Sequence, residues 1–284
     1  HVVMRILDRG TVPLDFAALG FEGDVLGRYL ELLHQPHGIL LVTGPTGSGK
    51  TTSLYASLLE LNTPDVNILT VEDPVEYQLD GVNQVHVKPQ IGLTFASALR
   101  AFLRQDPDII MVGEIRDVET AQVAVQASLT GHLVLSTLHT NNAASSISRL
   151  LDMGVEDYLL NSTLIGIVAQ RLVRTLCTVC REPYRAPPEL MAQVRPGVSG
   201  EATFYRAKGC PKCNNTGYSG RTGILELLPM SEGIGRLVLQ RAEAREIQRL
   251  AQQEGMRTMY EDGIAKALAG LTTPEEVMRV IRGE

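Results

Sequence analysis

Gly44-Pro45-Thr46-Gly47-Ser48-Gly49-Lys50-Thr51 is the stretch that decides the fold. It follows the apolar run Ile39-Leu40-Leu41-Val42 and opens a segment with Leu54, Leu58 and Leu61 on one helical face. The pattern G-x-x-x-x-G-K-T therefore stands between a predicted strand and a predicted helix, the context in which such a loop holds phosphate. Its glycines let the backbone curl so that successive N–H groups point inward, and the positive end of the helix dipole adds to the pull on an anion. Lys50 supplies a point charge for β- and γ-phosphates, and Thr51 offers its hydroxyl to Mg²⁺. A glycine-rich turn with a chance lysine is the competing reading; the agreement of motif, strand and helix argues against it.

Outward from the loop the same grammar repeats. Upstream, Leu19, Phe21, Val25, Leu26, Tyr29, Leu30 and Leu33 predict a short helical lead-in between Leu14 and Gln35. Downstream, Ile68-Leu69-Thr70-Val71 reads as a buried strand ending in Glu72-Asp73-Pro74-Val75-Glu76. Phe95, Leu99, Phe102 and Leu103 mark a helix, and Ile109-Ile110-Met111-Val112 a strand ending in Gly113-Glu114-Ile115-Arg116-Asp117. A further helical face, Val118 to Leu129, precedes Leu133-Val134-Leu135-Ser136, which runs into Thr137-Leu138-His139-Thr140. Apolar strands alternating with amphipathic helices predict an α/β fold with a parallel sheet covered on both faces and ligands beyond the strands' carboxyl ends. Two more helices are expected between Ala143 and Val173, the second through Leu159, Leu160, Leu164 and Ile167. Residues 183–200 read as a Pro- and Gly-rich loop, and Thr273-Pro274-Glu275-Glu276 as a capping box opening a last helix.

With 284 residues, 44% hydrophobic and 20% charged, the chain can bury a substantial core. Its net charge of −6 argues against a protein built mainly to grip nucleic acid, and no apolar run reaches the ~18 residues of a membrane span, so a cytosolic setting is expected. The chain opens at His1 inside the strand-like run Val2-Val3-Met4-Arg5-Ile6-Leu7, which reads as the end of a truncated domain followed by a linker.

Phosphoanhydride hydrolysis needs a metal near the β- and γ-phosphates, a group that handles water and positive charge on the developing oxyanions. Glu114, after an apolar strand, is placed like a Walker B acid that holds Mg²⁺; Glu76 and Glu72 are candidates for the water; Arg100, Arg104 and Arg116 can offset the carboxylates. The bland alternative is a solvated acidic loop and a helix cap. His139 can sense a γ-phosphate or be a satisfied structural histidine, whereas His132, at the strand's start, favours the structural reading.

The chain's four cysteines form Cys177-Thr178-Val179-Cys180 and Cys210-Pro211-Lys212-Cys213. Two C-x-x-C knuckles fit a tetrahedral, closed and therefore structural zinc site, although the spacer between them is longer than usual. Redox pairs or disulfides, and a nucleic-acid-binding ribbon flanked by Arg171, Arg174, Arg181, Lys208 and Lys212, are the alternatives.

Together these residues resemble the secretion ATPase superfamily that powers type II secretion and type IV pilus assembly, over essentially the whole chain. In that light Gly44–Thr51 looks like Walker A, residues 68–76 like the Asp box, Met111-Val112-Gly113-Glu114 like an atypical Walker B, and Gly131-His132 through His139 like the His box. The resemblance implies a RecA-like P-loop NTPase core with an inserted four-cysteine zinc-binding subdomain and a helical C-terminal subdomain. The expected division is 1–12 for the truncated domain and linker, 13–174 for the core, 175–222 for the zinc subdomain and 223–284 for the helical subdomain. It further implies ATP contacts by Gly44, Pro45, Thr46, Gly47, Ser48, Gly49, Lys50, Thr51 and Thr52, with Mg²⁺ on Thr51 and Glu114. Glu76 becomes the better catalytic base, with Glu72 and His139 beside it, and Arg5, Arg100 and Arg116 approach the phosphates, some from a neighbouring subunit. The implied assembly is a homohexamer, peripheral on the inner membrane through platform proteins that dock on amino-terminal domains. The cysteine module points to the assembly or secretion branch rather than pilus retraction. Arg221–Leu228, Gly255-Met256-Arg257 and Thr272–Val277 look more like the type II secretion ATPase than its pilus-assembly or DNA-uptake counterparts.

Overall fold

The computed structural model describes residues 14–194 and 202–282. Its centre is β1 (Gly38–Thr43), buried at every position because Gly-Ile-Leu-Leu-Val-Thr carries nothing charged. A lead-in helix α1 (Gly23–Leu33) precedes it and α2 (Lys50–Leu61) follows the glycine loop. Then come β2 (Ile68–Glu72), β3 (Asn83–His86), α3 (Phe95–Phe102), β4 (Ile109–Val112), α4 (Val118–Leu129) and β5 (Leu133–Leu138). The chain continues through α5 (Ala143–Asp152), α6 (Asp157–Thr163) and the long β6 (Leu164–Leu176).

Among the described residues a seven-stranded sheet runs β3-β2-β4-β5-β1-β6-β9, where β9 spans Tyr218–Pro229. All neighbours are parallel except β9, which lies antiparallel on β6. Thr43 pairs with Leu138, Val112 with Ser136 and Val71 with Val112, so the carboxyl ends of β1, β2, β4 and β5 are in line. The loops that follow those four ends therefore open on one edge of the sheet, where a ligand binds in such folds.

Helices cover both faces. Leu54, Tyr55 and Leu58 of α2 pack with Phe21, Tyr29 and Leu33 on one side, and Leu99, Ala121, Ala124 and Ile147 pack on the other. Fully burying a leucine such as Leu54 or Leu58 contributes about 1.5–3 kcal/mol. Chain entry into several helices is fixed by side-chain caps: Thr94 on α3, Asp117 on α4 and Asn142 on α5.

Three expectations change. The second helix expected through Leu164 and Ile167 stops at Thr163, and Leu164 onward is strand. Leu164, Ile167, Val168 and Val173 are buried in the sheet, where pairing with both β1 and β9 overrides a spacing that also suits a helix. The expected loop at 183–200 contains β7 (Glu182–Arg185) and α7 (Pro188–Val194), and β7 pairs with β8 (Thr203–Arg206) in a separate two-stranded sheet. Thr273 accepts the Glu276 N–H at 3.1 Å, but the Glu276 carboxylate turns to Arg174 and Arg279 instead of closing the box.

The boundaries expected at 174/175 and 222/223 fall inside β6 and β9, whose pairing joins the sheet across the cysteine segment. After β9 the chain forms α8 (Glu232–Leu239), α9 (Ala244–Gln253), α10 (Met259–Leu268) and α11 (Pro274–Arg282). The truncated-domain reading of residues 1–12, Arg5 included, lies outside the described residues. No helix among the described residues is long and apolar enough to cross a membrane.

Candidate functional site

The loop between β1 and α2 bends through Gly44 and Gly49, with φ of +150° and +86°. A Cβ on Gly44 would strike the Gln170 carbonyl of β6, and one on Gly49 would lie 2.8 Å from Gln170 Nε2. Both the backbone sign and the close floor beneath the loop thus require glycine. No side chain caps the amino terminus of α2, so its first-turn N–H groups stay open to an anion. Lys50 folds over the loop and donates to the carbonyls of Gly44 and Pro45 at 2.8 and 2.9 Å. Burial lowers its pKa to about 8, because no carboxylate compensates for the lost water.

Beyond this loop lies a cavity of about 520 Å³ whose walls include Thr46, Gly47, Lys50, Thr51, Glu72, Glu76, Glu114, Arg116 and His139. Side chains from the ends of β1, β2, β4 and β5 meet there, as the strand register dictates. Gly44, Pro45, Ser48, Gly49 and Thr52 are not among the lining residues; they shape the loop and the start of α2.

The acids differ in environment. Glu72 is buried and receives bonds from the Tyr55 hydroxyl, from Thr70 Oγ1 at 2.6 Å and from Gln84 Nε2 at 3.1 Å. Glu76 is half-buried on the cavity wall, its backbone N–H donated to Tyr55 Oη at 3.1 Å. Glu114, 9% exposed, meets His139 Nε2 at 3.0 Å through Oε2 and pairs with the Arg116 guanidinium through Oε1. Arg116 also approaches Asp73 at 3.8 Å. The His139 pKa is lowered by burial and then by the positive charges of Lys50 and Arg116, so the ring is neutral at pH 7.

Arg100 is not part of this constellation: α3 turns it outward, where it pairs with Glu119 at 2.7 Å. His132 bonds the Ala127 carbonyl at 2.8 Å through Nδ1, closing the end of α4 in a structural role. Sequence reasoning missed Tyr55 and Gln84, because a tyrosine inside a helical apolar face and a glutamine in a polar strand carry no motif. It also missed Gln170, which accepts the Ser53 hydroxyl at 2.7 Å and so sets β6 against the start of α2.

The four cysteines cluster with all sulfurs within 4.8 Å of one another. The separations are 3.9 Å for Cys177–Cys210, 3.8 Å for Cys180–Cys213 and 3.7 Å for Cys210–Cys213. These match the ~3.8 Å edge of a tetrahedron with metal–sulfur distances of about 2.3 Å, and far exceed a disulfide bond of about 2.05 Å. Burial raises the Cys213 thiol's pKa, but N–H groups of Cys210 and Gly217, each 3.2 Å from Sγ, together with hydrogen bonding to the Cys210 and Cys180 side chains, outweigh it and bring the thiol down to about 6. The knuckles sit where β6 and β9 leave the sheet: Cys177 donates its N–H to Gly217 O at 3.0 Å.

Fold and site define the class first: a mixed α/β protein with a parallel-dominated sheet and a charged cavity beyond its strand ends. The chain belongs to the family of Type II/IV secretion system proteins, whose model matches residues 1–279. It is 61% identical over 282 residues to the type II secretion system protein E of Xanthomonas campestris pv. campestris, covering 98% of this chain and 50% of that protein. It is 53% identical over 286 residues to the type II secretion system ATPase E of Vibrio cholerae, covering 99% and 56%. The type IV pilus assembly ATPase PilB of Myxococcus xanthus is 50% identical over 280 residues, covering 98% and 50%. The chain thus spans about half the length of the curated relatives it matches. Among solved structures, the pilus retraction motor PilT with bound ADP superimposes with a TM-score of 0.68 at 32% identity, covering 95% of this chain and 67% of that one.

Proposed function

We propose that this chain is the catalytic part of a Mg²⁺-dependent ATPase of the type II secretion system, coupling ATP hydrolysis to pseudopilus assembly and protein export. One observation carries the reading: Lys50, Glu76, Glu114 and His139, from four strand ends, line a single cavity above a glycine loop in a secretion-family chain. In this reading the core is a RecA-like P-loop domain, with residues 175–222 and 223–284 as its zinc and helical subdomains.

The residues divide the work by environment. Open N–H groups of the Gly44–Thr51 loop receive the phosphates, and Lys50 exchanges two carbonyl partners for phosphate oxygens. Glu76, half-buried on the cavity wall where Glu72 is fully enclosed, takes the proton from the attacking water. Arg116 offsets the negative wall, and neutral His139 donates toward the γ-phosphate or to Glu114. The cavity offers hard oxygen donors, so Thr51 and Glu114 would hold Mg²⁺, directly or through water, and the ion would neutralise charge on β- and γ-oxygens. The sulfur tetrahedron fits Zn²⁺, which would cross-link the two knuckles without an open coordination position.

The family resemblance extends the proposal to a homohexameric ring at the inner membrane, docked on platform proteins. Arg100, exposed beside Glu119, then serves a neighbouring subunit's site. The test is steady-state phosphate release at rising protein concentration. A ring with shared sites turns over more than linearly; strictly linear release would overturn the shared-site reading, and no release under any condition would leave a nucleotide-switched assembly module. The likeness to PilB keeps pilus assembly as the second reading, decided by whether the protein binds a secretion-type or a pilus-type platform protein.

A further inference from the structure

We propose that Glu226 couples the nucleotide cavity to the C-terminal helices by capping two helices at once, α5 of the core, which adjoins the cavity, and α10 of the C-terminal set. The inference rests on the cavity being the nucleotide site. Glu226 lies on β9, opposite Ala169 of β6, and is 2% exposed. Its Oε1 accepts the N–H of Ala143, the first residue of α5, at 2.8 Å. Its Oε2 accepts the N–H of Met259, the first residue of α10, at 3.3 Å.

A buried carboxylate is costly unless its lone pairs are met, and here two helix amino termini meet them with open N–H groups and with the positive ends of their dipoles. Burial still holds the Glu226 pKa above the usual carboxylate value, with the two N–H bonds, Gln248 of α9 and Arg171 of β6 offsetting part of that cost. The α5 end of this bridge is continuous with the cavity. His139 stands on the cavity wall, and Thr140 after it bonds both Thr43 Oγ1 at the end of β1 and Ser146 Oγ inside α5, each at 2.6 Å. Any adjustment of the β1 and β5 ends on phosphate binding therefore reaches the first turn of α5, and through one carboxyl group the first turn of α10.

Packing of α5 against α9 offers a parallel route, so the substitution must alter the carboxyl group and little else. Glu226→Gln is isosteric but keeps one acceptor and gains a donor. The shorter bond to Ala143 retains the oxygen, and Met259 N–H then faces an amide N–H. Glu226 is accordingly a positioning residue with two separable arms.

The experiment is amide hydrogen exchange on the intact protein, with and without Mg²⁺ and a non-hydrolysable ATP analogue. In the unsubstituted protein the analogue changes exchange at residues 44–51, in the first turn of α5 and in the first turn of α10. In Glu226→Gln the basal exchange at Met259 rises on the order of tenfold, as for one lost hydrogen bond to a charged group. There the response at 44–51 and at α5 persists while the response at α10 disappears. A change at 44–51 with none at α10 in the unsubstituted protein overturns the coupling alone, and needs no variant to fold. An α10 response unchanged in Glu226→Gln also overturns it, assigning the route to packing. No change at 44–51 overturns the nucleotide reading, and the coupling with it.

Discussion

The hydroxyl of Tyr55 accepts the backbone N–H of Glu76 at 3.1 Å while donating to the Glu72 carboxylate. Tyr55 stands on α2, the helix that begins with Lys50, so the helix that follows the glycine loop holds the acidic segment in place. Tyr55→Phe removes both bonds and leaves a buried Glu72 oxygen without that donor, a loss of about 1–3 kcal/mol. Turnover is expected to fall roughly tenfold through displacement of Glu76, with nucleotide affinity within about twofold, because a misplaced base touches the transition state and not the ground state. Steady-state kinetics beside equilibrium binding check it; an unchanged kcat would remove Tyr55 from the site's support.

Glu72 and Glu76 should separate under the same substitution. Glu76→Gln keeps binding and loses at least about 10²-fold in turnover, the contribution of a general base. Glu72→Gln places an amide N–H against donors from Tyr55, Thr70 or Gln84 and so lowers thermal stability before anything else. Undiminished hydrolysis by Glu76→Gln would sink its assignment as base.

How much of this was legible before the fold was known follows from burial. β1, β2, β4 and β5 are buried at every position, and a predominantly apolar run announces such a strand. Asn83-Gln84-Val85-His86 forms the sheet edge with no buried residue, so it carried no signal. Leu164 and Ile167 fit helix spacing as well as strand burial, and only the partners β1 and β9 decide between them. At the site, residues following strand ends were readable because chain order places them. Nearness in sequence does not say which cavity Arg100 faces; α3 turns it toward Glu119, away from the cavity of its own chain.

Lys50 gives a pH signature. With its pKa lowered to about 8, it is mostly charged at pH 7 and mostly neutral at pH 9. Affinity for a triphosphate should therefore weaken about tenfold between those values, where an unperturbed lysine would change little. Lys50→Ala abolishes binding and, with it, the pH dependence. Titration with a fluorescent ATP analogue measures both, and affinity flat through pH 9 would contradict the depressed value.

His139 gives a signature of opposite use. Its folded pKa lies below the unfolded value of 6.5, so at mildly acidic pH the unfolded chain binds the proton first. The stability it contributes is present above pH 6.5 and is lost as pH falls through the folded pKa. Melting temperature should decline from about pH 7 toward about pH 5, and His139→Gln should flatten that part of the decline. An equal decline in the variant would assign the pH sensitivity to other groups.

The cysteine cluster supplies the prediction most independent of the nucleotide site, since none of its four residues lines the cavity. Three sulfur separations of 3.7–3.9 Å describe sulfurs already gathered, with the Cys213 thiol brought down to about 6 while burial pushes that of Cys180 up to about 12. A cation held among four such closely spaced sulfurs offsets the charge of the thiolates that bind it, so the arrangement favours metal binding. One zinc per chain is therefore expected by elemental analysis of protein purified without chelators. Cys177→Ser removes one ligand and frees the paired ends of β6 and β9, because the Cys177–Gly217 backbone bond sits where they meet. Its first effect should be metal loss and proteolytic cleavage within residues 177–217, with nucleotide affinity within about twofold of the parent protein, because that segment supplies no wall of the cavity. Protein that is fully folded and free of zinc would overturn the assignment.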